Sequence, residues 1–132
     1  MKIIADTNVL LRFVLDDDPE QYKLALDAME KSEAVAVTNH ALCEMAWVLR
    51  SRYGVSRAAI AVTIRGLLET KNVVLDSATV NAGLTALEAG ADFADGIIAY
   101  EGRWLGGETF VSFDKKTVAA IAKQGLNTQL LA

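Results

Sequence analysis

Apolar positions along the chain alternate between two rhythms. Short runs, mostly rich in Val, Ile or Phe, fall at residues 2–5, 34–38, 72–75, 110–113 and 128–131 and read as β-strands. Between them, longer segments at 19–31, 39–53, 56–69, 77–90, 94–104 and 115–124 carry helical patterns. Strands that alternate with helices predict an α/β fold, here a three-layer sandwich with a central, mainly parallel sheet flanked by helices. No internal repeat, low-complexity tract or linker interrupts the pattern, so residues 1–132 read as a single domain. The only proline, Pro19, suits the first turn of a helix. The acidic run Asp16–Asp18 just before it suits the positive end of that helix's dipole.

Composition narrows the class. With 132 residues, 52% of them hydrophobic, the chain can bury a substantial core. Its single cysteine, Cys43, cannot form an intrachain disulfide, and the opening MKIIADTN has none of the features of a secretory leader. A reducing cytoplasm is the expected compartment. No apolar run approaches the roughly 18–20 residues that span a bilayer, so no membrane association is expected. The net charge of −4 opposes binding to nucleic acid through a broad positive field. It leaves room for a nuclease, because carboxylates gathered around divalent cations lower the pI while the occupied site is attractive to phosphate.

The placement of the acidic residues then carries the argument. In parallel α/β sheets, ligands bind beyond the carboxyl ends of the strands. Asp6 follows the first predicted strand and Asp114 follows the strand Phe110–Phe113. Glu44 is the only charged residue in Ala41–Leu49 and shares a helical face with Ala41, Trp47 and Val48. It reads either as an embedded carboxylate that needs a metal or a partner, or as an exposed residue pairing with Arg50 or Arg52. In the stretch GADFADGIIA, Asp92 fits a helix N-cap, and Asp95 three residues later completes something close to a capping box. Asp95 also lies at a helix start expected on the same sheet edge.

Four carboxylates from separate segments in one crevice would repel each other and raise their own pKa values. A hard divalent cation such as Mg2+ or Mn2+ removes the conflict. No matching His or Cys set supports zinc. His40, the only histidine, reads as a helix-start or surface residue, Cys43 as a small core residue, and no nucleophile elbow supports a serine hydrolase.

Taken in order, "IIADTNVLLRF", "ALCEMAWVLRSRYG", "GADFADGIIAY" and "FVSFDKK" resemble the PIN-domain ribonucleases and, within them, the VapC-like toxins of type II toxin-antitoxin pairs. The resemblance covers essentially the whole chain. It implies metal-dependent hydrolysis of RNA phosphodiesters with Mg2+ or Mn2+ held by Asp6, Glu44, Asp95 and Asp114, Asp6 and Asp95 being the principal ligands. It also implies supporting positions at Thr7, Asn8 and Ser112, with Asp92 as an additional acidic residue. The partners implied are an RNA substrate, a cognate antitoxin protein and a second copy of the chain in a homodimer. Leu42, Trp47, Leu67 and Leu68 supply apolar surface for the core or for such interfaces. Arg12, Arg50, Arg52, Lys115 and Lys116 are candidate contacts to the RNA backbone.

Two other functions fit parts of the pattern. One is a PIN-like RNA-binding or interaction module without catalysis. The other is a magnesium-dependent phosphatase of the haloacid-dehalogenase class, which typically has a second aspartate where this chain has Asn8. Metal-dependent cleavage of RNA, without cleavage of small phosphoesters, separates these readings.

Overall fold

The computed structural model describes residues 1–131. They form two compact units, one from Met1 to Asp76 and one from Ser77 onward. Both are built of parallel strands and helices, so the α/β class and parallel pairing are as the sequence predicts. Among the described residues there are seven helices and five strands, and no helix is long and apolar enough to cross a membrane.

The first unit runs β1 (Lys2–Ile4), α1 (Thr7–Val14), α2 (Pro19–Lys31), β2 (Ala34–Ala36), α3 (Asn39–Ser51), α4 (Arg57–Glu69) and β3 (Val73–Val74). Its three strands pair in parallel in the order β1-β2-β3, with Ile3 opposite Val35 and Val35 opposite Val73. Parallel neighbours need a crossover, and a pair of helices supplies each one. Side-chain oxygens cap all four helices: Asp6 accepts from the Val9 N–H, Asp18 from Gln21, Thr38 from Ala41 and Ser56 from Ala59. Pro19 occupies the first turn of α2, where its missing N–H costs nothing. The core takes Leu42, Met45 and Leu49 from α3 and Ile60, Ile64 and Leu67 from α4, all spaced to share a face and all nearly inaccessible.

Helix α1 is absent from the pattern reading. Its sequence, TNVLLRFV, buries Leu10 and Leu11 and carries Thr7, Asn8 and Arg12 as polar positions, but at eight residues it is too short for that pattern to stand out from the strand before it. The signal lay in Asp6 itself, which is a helix N-cap as well as the residue that follows a strand. The acidic run is also more than a solvated cap. Asp18 caps α2, whereas Asp17 pairs with Arg12 at 2.8 Å.

The second unit runs α5 (Ser77–Glu88), α6 (Phe93–Trp104), β4 (Thr109–Ser112), α7 (Lys115–Ala122) and β5 (Asn127–Leu130). Strands β4 and β5 pair in parallel, with Phe110 opposite Thr128, and α7 makes the crossover. Ala86, Ala91, Ala99, Ala120 and Ile121 form a buried cluster, against which Phe110 and Leu126 pack. Two glycines set the spacing of α5 and α6. A methyl group on Gly96 would lie 2.3 Å from the Ala82 carbonyl oxygen, and one on Gly83 would lie 2.6 Å from the Phe93 ring. The turn between these helices passes through Gly90 at φ +107°, a conformation that few L-residues adopt, and delivers the chain to Asp92.

Candidate active site

In the first unit, the site begins where β1 runs out. Ala5 is still tied to the sheet by its N–H to the Ala36 carbonyl at 3.1 Å, and the next residue, Asp6, turns the chain into α1. The Asp6 carboxylate is exposed, with one oxygen accepting the Val9 N–H at 3.0 Å. Thr38, just past the end of the parallel neighbour β2, starts α3 in the same way. Asp6 and Glu44 are therefore supplied from segments following the carboxyl ends of adjacent parallel strands, where α/β sheets hold their ligands.

Glu44 and Thr7 meet directly. The Thr7 hydroxyl donates to Glu44 Oε1 at 3.2 Å, and His40 Nε2 lies 3.0 Å from the same oxygen. Of the two readings its sequence context allows, embedded or exposed, Glu44 takes the exposed one; its side chain is 54% exposed. The reason is the register of α3. The buried stripe takes Ala41, Leu42, Met45, Ala46 and Leu49 and leaves Glu44 and Trp47 on the outer face. The partners of Glu44 are Thr7 and His40 rather than Arg50 or Arg52. His40 is exposed in the first turn of α3, as its sequence position predicts, but its contact with Glu44 was missed although the i,i+4 spacing announces it.

In the second unit, Asp114 follows β4 and caps α7, its Oδ1 accepting the Thr117 N–H at 3.1 Å. Ser112 holds this turn by accepting the Asp114 N–H at 3.0 Å. Asp92 is the N-cap of α6, and Asp95 reaches back to accept its N–H at 3.0 Å, the capping-box arrangement read from the sequence. The other neighbour of Asp95 is Thr117, whose hydroxyl donates to Asp95 Oδ2 at 3.4 Å. Thr117 therefore serves Asp95 through its hydroxyl, and Asp114 chiefly through its backbone N–H and to a lesser extent through the same hydroxyl. Nothing in the sequence singled it out beyond its place three residues after Asp114.

The electrostatics of Asp95 and Asp114 differ in sign. Partial burial holds the Asp95 carboxyl above the ordinary aspartate range, and the charges of Asp92 and Asp114 push it in the same direction. The Asp92 N–H and the Thr117 hydroxyl oppose this. Asp114 is held below the ordinary range, mainly by the Thr117 N–H, with the Lys116 N–H and charge adding to it. Asp95 thus carries its charge partly buried and within reach of the charges of Asp92 and Asp114, and a bound cation would favour its ionised form.

The donors are all oxygens: Asp6 and Glu44 beside the Thr7 hydroxyl in the first unit, and Asp95 and Asp114 beside Thr117 in the second. Carboxylate and hydroxyl oxygen suits a hard divalent cation and not a thiophilic one. Among the described residues, no three His, Cys, Asp or Glu side chains stand together in a group able to hold a metal ion. A comparison with curated proteins gives no match. A family model does match, over residues 3–124: its description is PIN domain.

Proposed function

Because the chain belongs to the PIN-domain family, whose members are typically metal-dependent nucleases, we propose that it is a ribonuclease that hydrolyses RNA phosphodiesters with Mg2+ or Mn2+. The observation that carries this reading is the family match across nearly the whole chain. The carboxylates at strand ends and helix starts support it through their donor chemistry.

In this reading, residues 1–132 act as one PIN-like domain, and Asp6, Glu44, Asp95 and Asp114 hold the metal, with Asp6 and Asp95 as principal ligands. When bound, a divalent cation supplies an acidified water and neutralises charge at the scissile phosphate. The protein's own residues prepare for it. Thr7 and His40 orient Glu44, Ser112 fixes the turn that presents Asp114, and Thr117 orients Asp95. Asn8 and Asp92 add polar groups next to the principal ligands. The same reading makes the protein the toxin of a type II pair, cytoplasmic and homodimeric, held inactive by a cognate antitoxin.

The test is to incubate purified protein, free of partners, with total bacterial RNA plus Mg2+ or Mn2+, with chelator, and in parallel as the Asp6→Asn variant, and to sequence the new RNA ends. Asparagine caps a helix about as well as aspartate, so this variant keeps α1 in place. Discrete cuts that need both metal and Asp6 are the expected result. A folded protein that binds RNA yet never cuts it would be a non-catalytic PIN-like module.

A further inference from the structure

The first unit contains an open pocket of about 340 Å3 between α1 and α2, and Asp6 is one of its lining residues. One wall comes from α1 through Asn8, Val9 and Arg12, the other from α2 through Gln21, Leu24, Ala25 and Ala28. The α2 residues follow i, i+3, i+4, i+7 spacing and so occupy one helix face. Ala25 on this face is buried in the core, but the residues around it are open to solvent. Leu24 is 72% exposed, and Gln21 and Ala28 are exposed as well.

Beside the exposed carboxylate of Asp6, the pocket combines three kinds of surface. Val9, Leu24 and the methyl groups of Ala25 and Ala28 make apolar walls, with the small alanines leaving room between them. The carboxamides of Asn8 and Gln21, both exposed, each offer donors and an acceptor. The third is the guanidinium of Arg12, held in place from outside the pocket: Asp17 accepts from Nη1 at 2.8 Å, and the Tyr53 hydroxyl lies 3.3 Å from Nη2 and 3.3 Å from Asp17. This clamp takes two of the five guanidinium N–H groups and pre-sets the direction of the others.

A nucleotide answers all three surfaces. Its base has apolar faces and a hydrogen-bonding edge that carboxamides read well, and its phosphate suits a clamped guanidinium. An apolar peptide side chain in the same place would satisfy the walls and strip water from two carboxamides and a cation without replacing it. We propose that the α1–α2 pocket binds one unpaired nucleotide of the RNA next to the scissile phosphate, with Gln21 and Asn8 reading the base edge. This rests on the ribonuclease reading, because it is Asp6 that places the pocket beside the reacting phosphate.

The test uses Gln21→Glu and Ala28→Leu, two substitutions at exposed α2 positions, with the fold checked by circular dichroism and Tm. On a degenerate single-stranded RNA pool, Gln21→Glu should change the base preferred beside the cut. Its KM should rise about five- to tenfold, as for one lost base-reading bond, and kcat should fall much less. Ala28→Leu fills the space and should raise KM at least about tenfold. Unchanged cut sites and KM in both variants would overturn the proposal. A second arm measures binding of a fluorescent unpaired oligoribonucleotide to Asp6→Asn protein without metal. If the wild type never cuts but this binding depends on Gln21 and Ala28, the pocket stands and the nuclease reading falls. If binding ignores both residues, the pocket proposal falls whatever the cutting shows. If Ala28→Leu instead displaces a short amphipathic helical peptide and leaves the oligoribonucleotide bound, the groove docks protein and the proposal is overturned.

Discussion

In the first unit, Glu44 stands at the surface with a hydroxyl and an imidazole on one of its oxygens, whereas in the second unit Asp95 is partly buried beside two further aspartates. The first arrangement gives the carboxylate two close polar neighbours in the open. The second raises its titration above the ordinary aspartate value, mainly through burial. Two carboxylates with the same proposed role thus have different surroundings, and the more buried one gains more from a bound cation. The helices that carry them differ too. Glu44 lies within α3, whose buried stripe is Leu and Met, while Asp95 sits next to Gly96, where α6 approaches α5 too closely for any side chain.

The sharpest way to break this comparison is Asp95→Asn. Cleavage should fall by at least about a hundredfold, the scale on which loss of one transition-state electrostatic contact is felt. In the same variant, Tm of the metal-free protein should rise, because the amide keeps the acceptor for the Asp92 N–H and removes the disfavoured charge. Thermal melts in chelator check this, and a fall in Tm would mean that the charge is not under strain. Next in size is Gly96→Ala, whose new methyl group meets the Ala82 carbonyl, a backbone atom that no rotamer change can move. Denaturant unfolding should show a loss of about 2–3 kcal/mol. Its counterpart in the first unit, Gly66→Ala on an open face of α4, should gain about 0.5–1 kcal/mol.

Smaller effects sharpen the contrast within the second unit. Thr117→Val removes the hydroxyl from Asp95, and with it the smaller hydroxyl contribution to Asp114, but keeps the N–H that Asp114 accepts. It should raise the Asp95 titration further at a stability cost of at most about 1 kcal/mol. In metal-free wild-type protein, carboxyl-carbon NMR should show Asp95 taking up its proton before Asp114 as pH falls. The signs of the linked stability differ. The Asp95 contribution is present at low pH and lost as pH rises through its raised folded value. The Asp114 contribution is present above the ordinary aspartate range and lost as pH falls through its lowered one. Protonation in the reverse order would contradict the assigned environments.

Much of the fold was legible because strong local signals agreed with each other. The β-rich runs near 34–38 and 110–113 contain strands, and Pro19 after Asp18 starts a helix at the expected residue. What the pattern missed depends on contacts distant in sequence. Helix α1 escapes the pattern because its eight residues make little more than two turns, too few for a helical period to stand out directly after a strand. Arg12 reads from the sequence as one of several candidate contacts to the RNA backbone, and only the structure shows Asp17 and Tyr53, the latter 41 residues away, holding it. Leu42 and Leu67 belong to the core, but Trp47, in the same apolar stretch, is 63% exposed because the register of α3 turns it outward. At the candidate site, the residue types were readable from their positions after strands. The hydroxyls that orient them were only partly so: Thr7 and Ser112 were singled out with the motifs, and Thr117 was not.

The capping role of Asp6 and Asp114 has a genetic consequence. Any aspartate codon becomes an asparagine codon by a single G-to-A transition at its first base, and asparagine serves the helix start about equally well. Selection against the activity therefore finds, one base away, a chain that lacks the charge and still folds. The product of such an allele is a folded chain with one charge fewer rather than a degraded null.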